Sequence, residues 1–429
     1  MKIDEQSVVD VIGIGVGPSN LALAISLEEL GADGDADGAP LTMHFFEKQA
    51  GFGWHRGMLL EGATMQVSFL KDLATMRNPM SPYTFMAYLK SKDRIADFIN
   101  SRTLFPFRVE FHDYLTWVAH HFNNVISYGA EVVRISPVVD DGLIKFLDLE
   151  VQFGDSRESV IRRTRNLVIG TGLTPRLPTG IEESPRIWHS SRLLERAEAI
   201  SPGARRLVVV GAGQSAAEVT EYFHSRFPEA EVHAVFSRYG YSVADDSPFT
   251  NAIFDPKAVD EFFVSPPDLK RRLIGYHGGT NYSVVDLDLS TSLYRASYQE
   301  RVLGNQRLLM RNMTKVVALD ERADQVEVVL EYLPDGRRDA IEADAVVFAT
   351  GYQANDPFPL LKEIASECKI DTRGQLALER DYRVATSDSM KCGIYLHGAV
   401  SEHTHGLAAG LLSNTAVRAG EIADSISTR

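Results

Sequence analysis

The chain has 429 residues, and 44% of them are hydrophobic, which is enough for two or three domains with large cores. Its formal net charge is −14, with 58 acidic and 44 basic residues, so it lacks the basic footprint of a protein that binds nucleic acid. The acidic residues are scattered along the chain, as is typical of a solvated surface.

The two cysteines, Cys368 and Cys392, exclude a disulfide scaffold and fit a reducing cytosol. The chain has no CxxC motif, so a dithiol–flavin reductase is not expected. No apolar run approaches ~18 residues, so we expect no transmembrane helix and no membrane partner. Residues 1–7 lead straight into a strand and leave no room for a signal peptide, which predicts a cytoplasmic protein.

The first predicted unit is a strand over 8–12, a glycine turn with the sequence GIGVGPSN, and a helix over 19–30. Glycines permit such a turn and let backbone N–H groups approach a pyrophosphate at the positive end of a helix. The candidate binding residues of this turn are Gly13, Gly15, Gly17, Pro18 and Ser19.

An acidic, small-residue loop over 31–40 precedes a second predicted strand, 41–46, which ends at Glu47. An acidic residue at this point can accept hydrogen bonds from a ribose 2′-OH. Glu47 lies 34 residues after Gly13 instead of the usual ~20, and the loop accounts for the excess. A largely helical stretch is predicted over 81–117, and another strand with a glycine turn over 167–172.

A second unit of the same kind follows, with a strand over 207–210 and the turn GAGQSAAE. Its candidate binding residues are Gly211, Gly213, Gln214 and Ser215. The next strand, 231–236, ends in Ser237 and Arg238, and a cation there suits the 2′-phosphate of NADPH better than NADH. The alternative is an ordinary surface arginine. Two such turns indicate two dinucleotides and electron transfer between them.

From residue 245 to about 306 the alternating pattern lapses into a stretch rich in Asn, Ser, Tyr and Asp, which predicts a small helical insertion. Strands are predicted over 345–349, closing on Thr350 and Gly351, and over 393–397, and a helix over 407–426. The fold class is therefore α/β, with two Rossmann-like dinucleotide-binding domains and a small, mostly helical insertion.

Several longer motifs occur in order along essentially the whole chain: GxGPSNLALA, WHRGMLL (54–60), MQVSFLKDLATMRNP (65–79), FRVEFHDYLTW (107–117), DDSPFTN (245–251), TNYSVVD (280–286), LYRASYQER (293–301), ATGY (349–352) and HGLAAGLLS (405–413). With this set the sequence resembles the flavin-dependent N-hydroxylating monooxygenases of siderophore biosynthesis. The stretch 69–115 is more similar to the L-ornithine N5 branch than to the L-lysine N6 branch.

The resemblance implies FAD in a domain formed by 1–180 and 340–429, and NADPH in a domain formed by 181–250 and 307–339. Residues 251–306 form the substrate-binding insertion. The implied reaction is reduction of FAD by NADPH, formation of a C4a-hydroperoxide with O₂, and attack by the side-chain amine of L-ornithine. The product, N5-hydroxyornithine, feeds hydroxamate siderophores or related natural products.

The amine must arrive uncharged, although its pKa is near ~10.4 in water. A carboxylate beside it would favour the ammonium form, whereas an amide oxygen orients the nitrogen with less bias. This chemistry fits Asn251 and Asn281, which match substrate-contacting asparagines of the family. By spacing alone, both are ordinary loop residues.

Gln66 and Lys71 lie on a predicted helix, about 140° apart at ~100° per residue. The resemblance places Gln66 over the flavin and Lys71 at the amino-acid end of the substrate, with Ser413 near the same end. Gln66 and Asn281 are thus the candidate catalytic residues, and both also contact cofactor. A solvated lysine and a helix-packing serine are the plain alternatives.

Trp54 and His55 are expected to border the isoalloxazine ring, and His405 to lie in a turn against the flavin. Thr350, Gly351 and Leu411 complete the candidate cofactor-binding set. The HxH pair formed by His403 and His405 lacks a third ligand, so no metal is expected.

Two alternatives stay open from the sequence. The same chemistry could act on L-lysine or on a diamine such as putrescine or cadaverine, which has no carboxylate for Lys71. A non-catalytic flavin-binding redox protein is the other alternative. By family resemblance we expect a homo-oligomer, a tetramer or a dimer.

Overall fold

The computed structural model describes residues 7–33, 40–154 and 158–428. The strands of these residues are, in chain order, β1 (Val8–Ile14), β2 (Met43–Glu47), β3 (Ile126–Tyr128), β4 (Ala130–Asp140), β5 (Leu143–Phe153), β6 (Ser159–Ile169), β7 (Leu173–Pro175), β8 (Ile187–His189), β9 (Arg206–Val210), β10 (Glu231–Val235), β11 (Leu308–Arg311), β12 (Thr314–Glu321), β13 (Val326–Tyr332), β14 (Arg338–Ala343), β15 (Ala345–Phe348), β16 (Tyr352–Ala354) and β17 (Gly393–Leu396).

The α-helices of the described residues are α1 (Pro18–Asp33), α2 (Phe85–Ser91), α3 (Ile95–Asn100), α4 (Arg108–His121), α5 (Leu193–Ala197), α6 (Gln214–Arg226), α7 (Pro248–Asn251), α8 (Pro256–Val264), α9 (Pro267–His277), α10 (Leu287–Leu303), α11 (Glu402–His405) and α12 (Thr415–Ser427). Together with the sheets described below, they confirm the predicted fold class.

The first sheet has the strand order β3-β2-β1-β6, and all four strands run parallel. Strand β17 continues the parallel sheet beside the second half of β6, where Leu396 pairs with Ile169. The antiparallel strands β5 and β4 extend the sheet beside the first half of β6. The carboxyl ends of the parallel strands therefore meet at one edge, which is where α/β sheets bind ligands.

Helix α1 lies in the core of this first unit, and its residues 20–27 are buried on all sides of the helix. Leu21, Leu23 and Ile25 are each at most 1% exposed. They share one apolar cluster with Ile422 and Ile426 of α12, at the other end of the chain. Burial on all sides explains why no polar face is visible in the sequence of α1.

The second sheet is also parallel, with the order β11-β10-β9-β15-β8. An antiparallel sheet, β12-β13-β14, follows β11 along the chain. Strand β15 pairs with both β8 and β9, so the second unit extends through Phe348. The predicted boundary at residue 340 is therefore wrong, because the pairing that assigns β15 is distant in sequence.

The chain crosses between the two units through a narrow ribbon. Strand β7 leaves the first unit and pairs antiparallel with β16, which leads back to it, and Pro175 faces Tyr352. The second unit is thus an insertion whose two ends lie side by side.

Helices α7 to α10 form the predicted helical insertion between β10 and β11. Helices α2 to α4 occupy the stretch predicted to be helical over 81–117. Helix α1 continues to Asp33, beyond its predicted end at residue 30. Residues 34–39 of the predicted loop lie outside the described residues.

Two predicted helices are wrong. Residues 66–71 form turns and bends, in which the Lys71 N–H donates to the Ser68 carbonyl at 2.9 Å. The predicted helix 407–426 is interrupted: short 3₁₀ turns cover Leu407–Gly410 and Leu412–Asn414, and α12 begins only at Thr415. Leu411 between the turns is extended, with φ −107° and ψ 159°.

Within residues 7–33, 40–154 and 158–428, no helix is both long enough and apolar enough to cross a bilayer.

Gly15 generates a stability prediction. Its φ is +87°, and a Cβ atom there would lie 2.5 Å from the Gly170 carbonyl oxygen. Gly15→Ala should therefore lower the free energy of unfolding by more than about 2 kcal/mol, from the left-handed backbone and the clash together. Gly17→Ala is the matched control, because a Cβ there meets nothing within 4 Å. Urea denaturation of the two apoproteins measures the difference, and equal stabilities would contradict the assigned clash.

Candidate functional site

The first glycine turn is fixed by two side chains at the end of the first sheet. The Asn20 amide donates to the Ile14 carbonyl at 3.1 Å and to the Gly15 carbonyl at 2.8 Å. The buried Glu47 carboxylate accepts from the backbone N–H of Val16 at 2.8 Å and of Gln49 at 2.8 Å. Each Glu47 oxygen keeps a free lone pair, and its predicted ribose contact stays a prediction. Sequence reasoning missed Asn20, although it stands in the GPSN motif.

The second glycine turn, like the first, passes close to the backbone of a neighbouring segment. Gly211 has φ +145°, and a Cβ atom there would lie 2.3 Å from the Ala349 carbonyl oxygen. The turn leads directly into α6, a helix of 13 residues that begins at Gln214. Free backbone N–H groups at such a helix start favour a phosphate group.

A cavity of about 1710 Å³ lies between the two units. It exceeds the ~300–1,000 Å³ that is usual for a single small ligand, so it has room for more than one. It brings together the following residues predicted from the sequence: Trp54, His55, Gln66, Gly211, Gly213, Gln214, Ser215, Arg238, Asn281, Thr350, Gly351 and Leu411.

Aromatic rings form one side of the cavity. His55 has a left-handed backbone with φ 50°, and its ring contacts the rings of Trp54, centroids 4.5 Å apart, and Tyr352, 5.7 Å apart. The His55 side chain is exposed to the cavity, and desolvation by the surrounding protein, with the nearby Arg108 charge, lowers its pKa to about 4. His55 is therefore neutral at neutral pH and offers a flat, uncharged surface.

An ion pair joins the two units beside these rings. Arg108 begins α4, and its guanidinium makes two contacts with the Glu218 carboxylate of α6, at 2.8 and 2.6 Å. The side chains are only 12% and 6% exposed, and Arg108 also donates to the Met58 carbonyl at 2.9 Å. Sequence reasoning missed this pair, since nothing local relates residues 110 positions apart.

Asp286 lies where the helical insertion meets both units. Its Oδ2 is 3.4 Å from the amide nitrogens of Gln66 and Gln214. Its backbone N–H donates to Gln214 Oε1 at 2.9 Å, and Gln214 Nε2 donates to Glu218 at 3.0 Å. Burial, opposed by the contact with Gln66 and reinforced by the charge of Glu218, raises the pKa of Asp286. Asp286 is a further residue that sequence reasoning missed.

The loop around Asn281 forms the opposite wall. The Tyr282 hydroxyl donates to the Glu402 carboxylate, and both side chains line the cavity. Burial raises the pKa of both groups. Arg238 donates to the Ser283 carbonyl at 2.9 Å and so holds this loop against the second unit.

Other predicted residues lie outside the cavity wall formed by the described residues. Lys71 is partly buried four positions after Val67, which lines the wall. Asn251 donates to the Asp246 carbonyl at 2.8 Å. Ser413 is 3% exposed and follows the lining residue Leu412. The remaining ones are those of the first turn, Gly13, Gly15, Gly17, Pro18 and Ser19, together with Glu47.

His405 requires a correction. Its side chain is 1% exposed and stacks on Tyr382 with ring centroids 3.9 Å apart. Its ring nitrogens bond to the Arg380 carbonyl at 3.0 Å and the Thr404 hydroxyl at 2.8 Å. Burial of the His405 ring lowers its pKa to about 3. The side chain therefore belongs to the core, and the expected position of its turn against a flavin stays a prediction.

The residues present fit two dinucleotides. Each parallel sheet ends in a glycine turn that leads into a long helix, α1 or α6. In addition, the buried side chains of His397 and Asn414 have no hydrogen-bond partner among the described residues. His397 directly follows Leu396 of the cavity wall, and Asn414 lies two positions after Leu412 of the wall. Buried polar groups of this kind normally meet water or a polar ligand. The fold and cavity thus define a flavoprotein-like, two-dinucleotide architecture.

Comparison with known proteins specifies the family. Residues 7–354 match the L-lysine 6-monooxygenase/L-ornithine 5-monooxygenase family. The ornithine N-hydroxylase of Kutzneria sp. 744, solved with reduced FAD, NADP⁺ and L-ornithine, is 43% identical with a TM-score of 0.93, over 99% of this chain and 100% of that one. The chain belongs to this family.

Two further relatives are named for different substrates, L-ornithine and L-lysine. The L-ornithine N(5)-monooxygenase of Burkholderia cepacia is 40% identical over 94% of this chain and 91% of its own length. The L-lysine 6-monooxygenase of Pseudomonas syringae is 32% identical with a TM-score of 0.84, over 98% of this chain and 99% of that one.

The ion pair between the units generates a second prediction. Glu218→Ala leaves the Arg108 guanidinium buried without its carboxylate, which should lower the free energy of unfolding by about 3 kcal/mol. Glu221→Ala, on the exposed side of the same helix, should change it by less than about 0.5 kcal/mol. Chemical denaturation measures both, and similar losses in the two variants would rule out a special role for the pair.

Proposed function

We propose that the protein is an L-ornithine N5-monooxygenase that uses FAD, NADPH and O₂ to form N5-hydroxyornithine for hydroxamate biosynthesis. The observation that carries this proposal is one continuous cavity that joins the second glycine turn to the aromatic residues and Gln66 of the first unit. Support comes from the 43% identical relative described with reduced FAD, NADP⁺ and L-ornithine.

FAD, when bound, accepts a hydride from NADPH and activates O₂. The chain contributes binding, orientation and exclusion of water. Trp54 and the neutral His55 give the flavin side of the cavity an uncharged surface, since the pKa of His55 is lowered to about 4. Such a surface carries no cationic acid that could protonate the oxygen activated there.

The amides of Gln66 and Asn281 orient the reacting nitrogen in this proposal. Both line the cavity, and an amide oxygen accepts from a neutral amine without strongly favouring the ammonium form. Glu402, a carboxylate that also lines the cavity, accepts a hydrogen bond from the Tyr282 hydroxyl.

Lys71 and Ser413 bind the amino-acid end of ornithine in this proposal, and Asn251 is a further substrate-contacting asparagine. Lys71 and Ser413 follow residues of the wall, Val67 and Leu412, within four and one positions. A lysine is a good partner for a carboxylate, so this assignment favours an amino acid over a diamine.

NADPH binds at the second glycine turn, with Arg238 at its 2′-phosphate. Arg238 lines the cavity just after β10, as does Ser237. The guanidinium is exposed and holds the Ser283 carbonyl through one of its nitrogens, which leaves further N–H donors for a phosphate.

Substrate turnover tests the proposed reaction. The purified holoenzyme should convert L-ornithine to a hydroxylamine, with NADPH oxidised in near-equal amount. L-Lysine should mainly stimulate NADPH oxidation, because its extra methylene displaces the amine and near-attack geometry tolerates this badly. Oxygen uptake, peroxide release and hydroxylamine yield are measured for ornithine, lysine and putrescine.

The role of Lys71 separates these substrates further. Lys71→Ala should weaken ornithine binding by roughly 1.5–3 kcal/mol, the range of a charge-assisted hydrogen bond, and leave flavin reduction by NADPH intact. Lys90→Ala, an exposed lysine of α2, is the control. Better hydroxylation of putrescine than of ornithine by the wild type would refute the carboxylate contact.

Cofactor preference gives a separate prediction. Arg238→Ala should raise the KM for NADPH about 10-fold or more, since a charge-assisted phosphate contact contributes ~1.5–3 kcal/mol, and should hardly change the KM for NADH. Arg226→Ala, exposed on α6, is the control. Equal rises for both cofactors would remove Arg238 from the 2′-phosphate site.

We also propose that the enzyme acts in the cytoplasm as a homo-oligomer, on the family resemblance and the cysteine content described above. Light scattering of the holoenzyme measures the oligomeric state, and a monomer at all concentrations would refute that part.

A further inference from the structure

Asp286 occupies the N-cap position of α10 without capping it. Its backbone has the extended conformation of an N-cap residue, with φ −54° and ψ 139°. Among the described residues, no N–H of the first turn of α10 donates to its carboxylate. An aspartate in this position usually stabilises a helix by ~1 kcal/mol through such a bond. The Asp286 carboxylate is therefore directed elsewhere.

The Asp286 carboxylate instead lies between two amides from different parts of the fold. Oδ2 is 3.4 Å from Gln66 Nε2, in the flavin-side segment, and 3.4 Å from Gln214 Nε2, at the start of α6. Both contacts are longer than the ~2.9 Å of a strong hydrogen bond, so they contribute orientation more than stability. Both glutamines line the cavity.

The link between Asp286 and Gln214 is reciprocal. The Asp286 N–H donates to Gln214 Oε1 at 2.9 Å, while Gln214 Nε2 faces the Asp286 carboxylate and donates to Glu218 at 3.0 Å. The Gln214 side chain thus has a fixed orientation, because its oxygen and nitrogen have different partners. A shift of the second glycine turn must then move Asp286, and with it the partner of Gln66.

We propose that Asp286 is a positioning residue that fixes the amides of Gln66 and Gln214 against each other, and so couples occupancy of the NADPH turn to the orientation of Gln66 at the flavin side. This inference rests on the proposed function, and it adds a residue that does not line the cavity itself. Its consequence is that NADP⁺ binding and the fraction of oxygen that reaches substrate depend on the same carboxylate.

Three variants separate positioning from helix capping. Serine is as well suited to an N-cap position as aspartate is but is too short to reach Gln66, so Asp286→Ser removes the bridge without disfavouring the start of α10. Asparagine suits the N-cap position equally and keeps an acceptor oxygen at the same distance, so Asp286→Asn should rescue the bridge. Asp288→Ser, in the first turn of the same helix and exposed, is the matched control.

The measurements are the Tm of each holoenzyme, the Kd of NADP⁺ by titration calorimetry, and the ratio of peroxide released to hydroxyornithine formed. Asp286→Ser should keep the Tm of the wild type, raise the Kd of NADP⁺ about 5-fold, which is ~1 kcal/mol or one net hydrogen bond, and raise the peroxide ratio by a similar factor. Asp286→Asn and Asp288→Ser should stay within about 2-fold of the wild type in both quantities.

A double-variant cycle tests whether Asp286 acts through Gln66. Gln66→Ala and Asp286→Ser should not add in the peroxide ratio if one residue positions the other. Additive effects, or an Asp286→Ser enzyme whose NADP⁺ Kd and peroxide ratio match those of Asp288→Ser, would overturn the proposal. Failure of the proposed function gives a different result: the wild type itself would form no hydroxyornithine, whereas the NADP⁺ titration still reports on Asp286.

Discussion

Backbone-to-backbone contact at two glycine turns is the constraint on which the cavity depends. At Gly15 the chain passes the Gly170 carbonyl, and at Gly211 it passes the Ala349 carbonyl, in each case with no room for a Cβ atom. Each contact lies where a central strand ends beside its neighbour, β6 in one sheet and β15 in the other. The same local solution therefore occurs twice and aims two helix N-termini toward ligand space.

The features that were predicted from the sequence are local ones. The glycine turns, the helical stretch from α2 to α4 and the helical insertion are each determined by residues within a few positions of one another. Two local predictions failed because tertiary packing overrode the pattern. Residues 66–71 form turns that begin at the cavity wall with Gln66 and Val67. Leu411 adopts an extended conformation that interrupts the expected helix.

The parts of the site that were missed depend on contacts between distant positions. Arg108 meets Glu218 across 110 positions, and Gln66 meets Asp286 across 220. The assignment of β15 to the second sheet has the same origin, because its partners β8 and β9 precede it by more than 130 residues. No periodicity or motif in a single sequence encodes such pairings. The sequence also does not show that the side chain of His405, a conspicuous motif residue, packs in the core.

The pairing of α1 with α12 has a consequence for how the protein is made. Helix α1 emerges early from the ribosome, but part of its apolar surface is covered by Ile422 and Ile426 of α12, which are synthesised much later. The parallel sheet of the first unit is likewise complete only after β17 has been synthesised. The N-terminal half therefore exposes apolar surface while the inserted unit folds, and such surface binds chaperones and promotes aggregation. Loss of the last turns of α12 would therefore destabilise the core around α1 first.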